Sequence, residues 1–505
     1  MVEQASLMIP VLPLLAALAV ALRMATGAAR DDAAERSVVR LTLWAAGLVL
    51  LLLLLLDMRA LWLGEPPGHI VFGSWLVSGD YHIDVSLMLD TLGLAMGTLV
   101  ALIAFLTLRF SVNYMHRESG FHRFFMVMSL FTGAMLLIVT AGSALLLFIG
   151  WELAGVSSFL LIAYSWERPV ATQHAMRAFV TNRIGDAGFL LAIFLSFAWL
   201  GSVEWPQMLA KAAGMESLSA GLLAGGFLIA ALAKSGQLPF APWIGRALEG
   251  PTPSSSIFYG SLMVHAGVYL VIRLAPVFEQ SPAVMVLLVL LGALTALYGF
   301  IAGLVQSDVK SSLMFSTTGQ VGLMFVACGL GWFDLAAVHL VVHAIWRAYQ
   351  FLLSPALLYL ADRPVRPVPA WLQRCHRLHT AVMQRFWLDS LADTLLVRPT
   401  RELAHDANNL DKQVISLLMG LHAETEGEAG EAALAGKGHG GAVDRVVVWF
   451  ADAAHRFEQR LIFRKGGGLG QVMQNIGDYL RDVESLLERP RYLLLLIMAT
   501  LVVIL

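Results

Sequence analysis

Read from its start, the chain places apolar residues in long runs separated by short, charge-bearing connections. The runs fall at about 5–22, 40–63, 86–108, 124–141, 143–164, 176–200, 218–240, 253–276, 282–304, 310–330 and 334–360, eleven in all. As helices they match a hydrocarbon layer of roughly 30 Å, so the pattern predicts eleven transmembrane spans. A further apolar stretch, YLLLLIMATLVVIL at 492–505, reaches only about 21 Å as a helix and spans only if Arg489 and Arg491 snorkel. The first run follows Glu3 with no basic residues before it and arginines after it. That polarity is wrong for a cleaved signal peptide and predicts a retained helix.

Two other patterns break the helical rhythm. Residues 72–90, FGSWLVSGDYHIDVSLMLD, alternate polar and apolar positions around Gly-Asp and predict a small hairpin outside the membrane. At 361–374, ADRPVRPVPAWLQR, three prolines and three arginines end the hydrophobic region. The expected domains are therefore a transmembrane part at 1–361, a cytosolic or interfacial part at 362–490, and a membrane segment at 491–505. Within the middle part, 376–419 and 443–463 read as amphipathic helices. The stretch 423–442 between them reads as a flexible linker, and RKGGGLG at 464–470 as a hinge.

Composition agrees with a membrane-embedded chain: of 505 residues, 58% are hydrophobic and 14% charged, far from a soluble domain of this size. Arginines gather after the first run (Arg23, Arg30, Arg36, Arg40), in the third connection (Arg109, Arg117, Arg123) and in the fifth (Arg168, Arg177). By the positive-inside rule the N-terminus lies outside and 362–490 in the cytoplasm. The net charge of −2 favours no nucleic acid, and Cys328 and Cys375 supply neither metal spacing nor a disulfide framework.

Against this apolar background a few charges stand out. FIGWELAGVSSFLLIAY (148–164) carries Glu152 in the middle of a span, NRIGDAGF carries Asn182, Arg183 and Asp186, and ALAKSGQLPFAPW carries Lys234. Ionisable residues at such depth are functional candidates by default. Arg183 and Asp186, three apart, share a helix face and are suited to pair. Gly236, Pro239 and Pro242 predict that the helix breaks just after Lys234, which only surrounding protein or water tolerates. A lysine in apolar surroundings holds its proton loosely, and a carboxylate that approaches tightens the hold, so Glu152 and Lys234 outline a proton relay. The eighth run adds Tyr259 and His265, the tenth begins with Asp308 and Lys310, and the eleventh holds His339, His343 and Arg347 at i, i+4 and i+8 on one face. The i, i+4 histidines superficially suggest zinc, but the metalloprotease motif needs a glutamate directly after the first, where Leu340 stands, so no metal is expected.

Taken together, FIGWELAGVSSFLLIAY, NRIGDAGF, AKSGQLPFAPWIGRALEGPTPSS, AGVYLVIR and SDVKSSLMFSTTGQVGLMF, in that order over about 75–360, resemble the proton-conducting antiporter-like family. This family includes subunit 5 (subunit L) of NADH:quinone oxidoreductase, the large Mrp antiporter subunits and the membrane subunit of DAB-type inorganic carbon transporters. The resemblance implies an all-α polytopic fold, an antiporter-like inverted-repeat bundle with two five-helix repeats, plus C-terminal cytosolic amphipathic helices. It implies that Glu152 modulates Lys234, that Asp186 is an acidic partner beside them, and that a polar line near mid-membrane joins the two halves; the residues available to carry it onward here are His265, Lys310, His339, His343 and Arg347. The chain departs from the family in three places. Tyr259 stands where a histidine is usual, with His265 six residues on; Arg347 replaces the central lysine; and the last helices of the second repeat have no counterpart, giving a truncated repeat. RFWLDSLADTLLVRPTRELA (385–404) resembles the region after the core in subunit 5.

The implied function is proton translocation coupled to partner subunits. No Cys cluster, dinucleotide loop or haem pattern appears, so neither a cofactor nor a catalytic site of its own is expected, and redox chemistry would lie in the partners. The implied partners are complex I-like subunits or, in the carbon-transport alternative, a zinc-containing cytosolic subunit. A third alternative is a non-conducting scaffold.

Overall fold

A computed structural model describes residues 2–26, 31–78, 81–360 and 368–400, together with Glu402 and Asn408. The linker at 423–442, the hinge at 464–470, the amphipathic stretch at 443–463, the remainder of 376–419 and the segment 491–505 lie outside these. By its contacts the chain divides after Val397, beyond the proline-rich stretch, and everything below belongs to the first unit, Met1–Val397.

The long helices are α1 (Val2–Ala25), α2 (Asp32–Leu63), α3 (Thr91–Tyr114), α4 (Phe121–Thr140), α5 (Ala144–Ile162) and α6 (Pro169–Leu200). After the short α7 (Trp205–Ala212) come α8 (Ser217–Lys234) and the short α9 (Pro242–Arg246). The eighth span, Thr252–Arg273, is irregular: α10 (Thr252–Ser255), a π-helical stretch Ser256–Ser261, a 3-10 turn Met263–His265 and α11 (Ala266–Arg273). The turn α12 (Ala275–Phe278) leads to α13 (Pro282–Gly303), α14 (Val309–Gly329) and α15 (Phe333–Leu360). Eleven helical spans among the described residues are long and apolar enough to cross a membrane, as the run pattern predicts. The chain is a polytopic, all-α membrane protein.

Helix starts are set by local chemistry. Asp31, Asp90, Ser143 and Asp308 each accept a hydrogen bond from the amide three residues on, capping α2, α3, α5 and α14. Large apolar residues such as Leu51 and Leu55 on α2, Val286, Leu290 and Leu297 on α13, and Val338 and Val342 on α15 are exposed, as a lipid solvent requires. The eighth span is almost wholly buried and forms the centre of the bundle. There Arg273 donates to Asp90 and to the Tyr269 hydroxyl, and Tyr269 donates to the Val139 carbonyl, tying α11 to α3 and α4.

The expected hairpin is present as β1 (Gly68–Ser78) and β2 (Tyr81–Leu89), antiparallel. Buried Glu204, just before α7, fastens it by accepting from Ser86 Oγ at 2.7 Å and from the Asp84 amide at 3.3 Å. At 370–397 the short helices α16 (Ala370–Arg374), α17 (His376–Met383) and α18 (Leu388–Ala392) follow. Asp389 accepts from Arg246 of α9 at 3.1 Å, and Asp393 pairs with Arg177 of α6. These contacts hold the segment against the bundle.

Two features position the site. First, α6 and α8 cross at a seam of small residues. A β-carbon on Gly188 would lie 2.9 Å from the Gly226 carbonyl oxygen, one on Gly226 would lie 2.7 Å from the Gly188 carbonyl oxygen, and Gly185 abuts the Ala233 methyl. Second, α8 stops at Lys234. Gly236 takes φ +56°, and its amide and that of Gln237 bond back to Ala233 and Leu232 in a Schellman arrangement. Trp243 of α9 adds an indole bond of 2.9 Å to the Ala233 carbonyl, so the broken end keeps its backbone partners.

Candidate ion-translocation site

Four charges meet where α5, α6 and α8 converge. Glu152, Asp186 and Lys234 are buried, with Lys234 only 1% exposed. Arg183 donates through Nη1 to Glu152 Oε2, and its Nη2 lies 2.9 Å from Asp186 Oδ2, the spacing an i, i+3 pair allows. Two cations and two carboxylates make the cluster neutral, which offsets much of the desolvation of each member.

Lys234 sits apart from that bridge. Its Nζ donates to the Trp151 carbonyl at 2.9 Å and lies 4.9 Å from the Trp151 ring centroid. The same indole donates from Nε1 to Asp186 Oδ1 at 2.8 Å. Trp151 thus links the lysine to the acidic side of the cluster, a role its apolar classification hides in sequence. Gly155 leaves the space between the two cations: a β-carbon there would stand 3.1 Å from Arg183 Nη2 and 3.5 Å from Lys234 Nζ. Glu152 Oε1 has no hydrogen-bond partner among the described residues, so an acceptor remains available inside the cluster.

In the second half, His265 Nε2 and His343 Nδ1 are 3.0 Å apart, and Arg347 Nε donates to His343 Nε2 at 3.2 Å. A nitrogen that accepts from arginine carries no proton, so neutral His343 keeps its proton on Nδ1 and donates it to His265. Arg347 also donates to Ser316 Oγ of α14 and to Gln350 Oε1 at 2.7 Å. His339 Nε2 donates to Gln320 Oε1 at 2.9 Å, and its ring stands at 87° to that of His343. Lys310 lies apart from this group, half-buried in the first turn of α14 beside the cap Asp308. Tyr259, in the π-helical stretch, donates to the Ala247 carbonyl at 2.8 Å and touches neither histidine by hydrogen bond.

Between the halves lies a narrow void lined by Ser235, Tyr259, Val264, Thr317 and Thr318, with no room for a water molecule. Ser235 Oγ beside it has no hydrogen-bond partner among the described residues. Serine and threonine are ordinary in membrane helices, so nothing in the sequence marks these residues.

An eleven-span bundle with a helix broken at a buried lysine is the architecture of an antiporter-type membrane subunit. The comparisons agree. A family model described as NADH:quinone oxidoreductase/Mrp antiporter, TM, matches 141–363, and one described as NADH-ubiquinone oxidoreductase (complex I), chain 5 N-terminus, matches 75–125. NADH-quinone oxidoreductase subunit L of Mycobacterium tuberculosis is 38% identical over 291 residues, covering 57% of this chain and 46% of the relative. The chloroplastic NAD(P)H-quinone oxidoreductase subunit 5 of Liriodendron tulipifera is 39% identical over 293 residues, covering 57% and 39%. The matched region thus spans less than half the length of these relatives. Among solved structures, the Mrp complex from Dietzia sp. DQ12-45-1b aligns with a TM-score of 0.61 at 25% identity, over 71% of this chain and 39% of that one. The archaeal membrane-bound sulfane sulfur reductase aligns at 0.59 and 21% identity, over 69% and 70%, and shows a shared fold. The chain belongs to the antiporter-like membrane subunit family of complex I and Mrp antiporters.

Proposed function

We propose that this chain translocates protons as one membrane subunit of a larger assembly. The observation that carries this reading is the neutral cluster of buried Glu152, Asp186 and Lys234 with half-buried Arg183 at the end of a helix that stops inside the bundle. Lys234 is the proton carrier. It is held by a carbonyl and a ring face, both neutral, so its charge is balanced by carboxylates it does not touch. A swing toward Glu152 Oε1 tightens its proton, and withdrawal loosens it. Arg183 fixes the two carboxylates and keeps its own charge throughout.

The onward route runs past Ser235, Tyr259, Thr317 and Thr318 to His265 and His343. The void there is closed to water, so passage waits on a movement that opens it. Arg347 caps the histidine pair and, because a guanidinium does not release its proton, keeps protons from running freely past it. By the arginine distribution, the N-terminus faces outside and 362–490 the cytoplasm, where that region serves as the partner-binding module. The relatives' names favour a redox-driven, complex I-like assembly. Arg347 in place of lysine keeps the DAB-type carbon transporter as a second reading, since a different partner need not preserve the same exit path.

The test is proton flux in vesicles holding the purified complex. Lys234→Met is expected to abolish coupled flux while the chain still inserts, because an apolar side chain replaces a charged one in a span. Normal flux in this variant defeats the relay. Fe–S, quinone-reducing subunits in the same preparation support the complex I-like reading, and a cytosolic zinc protein in their place supports the other.

A further inference from the structure

Arg347 differs from the arginines it can be compared with in the spans. Half-buried Arg183 meets Glu152 and Asp186, and buried Arg273 meets Asp90, whereas Arg347 has only neutral acceptors: His343, Gln350 and Ser316. It is 8% exposed, and no carboxylate lies within ion-pair distance of it among the described residues. Three of its five N–H groups are used in these bonds, leaving two to offer. A charge at this depth is ordinarily paired.

The surroundings point the same way. Ser316 and Gln320 on α14, and His339 and Gln350 on α15, are half-buried, and bonds from His339 to Gln320 and from Arg347 to Ser316 and Gln350 run along the seam of the two helices. Exposed apolar residues flank them: Leu323 at 40%, Leu335 at 54% and Trp346 at 57%. A polar stripe bordered by lipid-facing residues is how one membrane helix receives another, because polar side chains crossing between helices need partners that lipid tails do not supply.

We propose that the polar stripe along the α14–α15 seam receives a membrane-spanning helix of a different subunit, and that an Asp or Glu near the middle of that helix pairs with Arg347. Depth decides against an anionic lipid. Arg347 is the fifteenth of the 28 residues of α15, near mid-membrane, while a phosphate headgroup lies about 15 Å away at the edge of the hydrocarbon layer. A second copy of this chain meeting the stripe symmetrically would set Arg347 against Arg347. Among the described residues the acids nearest in sequence on these two helices do not reach it: Asp334 is thirteen residues, about 20 Å, along α15, and Asp308 caps α14.

The experiment replaces Trp346 with the photo-crosslinker p-benzoylphenylalanine in the full chain, in its native membrane, with Leu290 of α13 as a control position. The expected result is an adduct at Trp346, absent at Leu290, with one other membrane protein whose cross-linked peptide holds an Asp or Glu within a span. Arg347→Gln should lower its yield at least fivefold, and Arg347→Lys, which keeps the cation, should retain most of it. Adducts with lipid alone, with a second copy of this chain or with another segment of the same chain overturn the proposal. So do equal yields in all three backgrounds, or equal loss in both variants.

Discussion

The ammonium of Lys234 rests over the Trp151 indole, 4.9 Å from the ring centroid, and donates to that residue's own carbonyl. A buried lysine held by a salt bridge would be locked in its charged form. Held by a ring face and a carbonyl, it keeps its charge through nearby carboxylates while remaining free to swing.

Trp151→Phe keeps a ring under Lys234 and the backbone carbonyl, but removes the indole donor to Asp186. Leaving that carboxylate oxygen unsatisfied costs about 1–3 kcal/mol. The expected outcome is a chain that assembles with lowered thermal stability and several-fold lower flux, while Trp151→Leu, which also removes the ring face, loses more. Flux measured side by side for the two variants separates the donor from the ring.

Glu152→Gln leaves Arg183 with Asp186 alone and gives the cluster a net positive charge. Flux should fall about tenfold, equivalent to about 1.4 kcal/mol in a barrier, and less than in Lys234→Met. A larger loss than in Lys234→Met would exchange the roles of the two residues.

Gly155→Ala offers the reverse test, in which folding is favoured and function opposed. Alanine improves helix propensity by about 1 kcal/mol, yet its methyl enters the gap between Arg183 and Lys234. Unchanged or raised thermal stability with several-fold reduced flux is expected. Unchanged flux would mean that the separation of the two cations does not matter.

Arg347→Lys exchanges a cation that never releases its proton for one that does. Vesicles holding the chain freed of its partner subunits, where no partner carboxylate meets this position, should then leak protons several-fold faster, as followed by a pH-sensitive dye. A wild-type leak rate would remove the barrier role from Arg347.

Much of this was legible in the sequence, for reasons that particular residues make plain. Eleven spans could be counted because lipid rewards unbroken apolar runs, and Glu152, Asp186 and Lys234 stood out because charge inside such runs is rare. The break after Lys234 followed from Gly236 and the prolines behind it. Trp151 was invisible, since its importance comes from α6 and α8 arriving on either side of it. The π-helical stretch around Tyr259 could not be foreseen from a run of 3.6-periodic residues, and Tyr259 itself bonds to a carbonyl rather than to the histidines. Glu152 was expected to meet Lys234 but meets Arg183, because a guanidinium three residues before Asp186 reaches both carboxylates at once.

The glycine seam between α6 and α8 has a temporal consequence. Backbones in contact at Gly188 and Gly226 pack the stretches carrying Asp186 and Lys234 against one another. A switch of the lysine by side-chain torsions asks for no sliding of these helices, a motion that takes microseconds or longer. The switch itself would then be fast, and the pace of the protein would be set elsewhere, at the dry constriction beside Ser235.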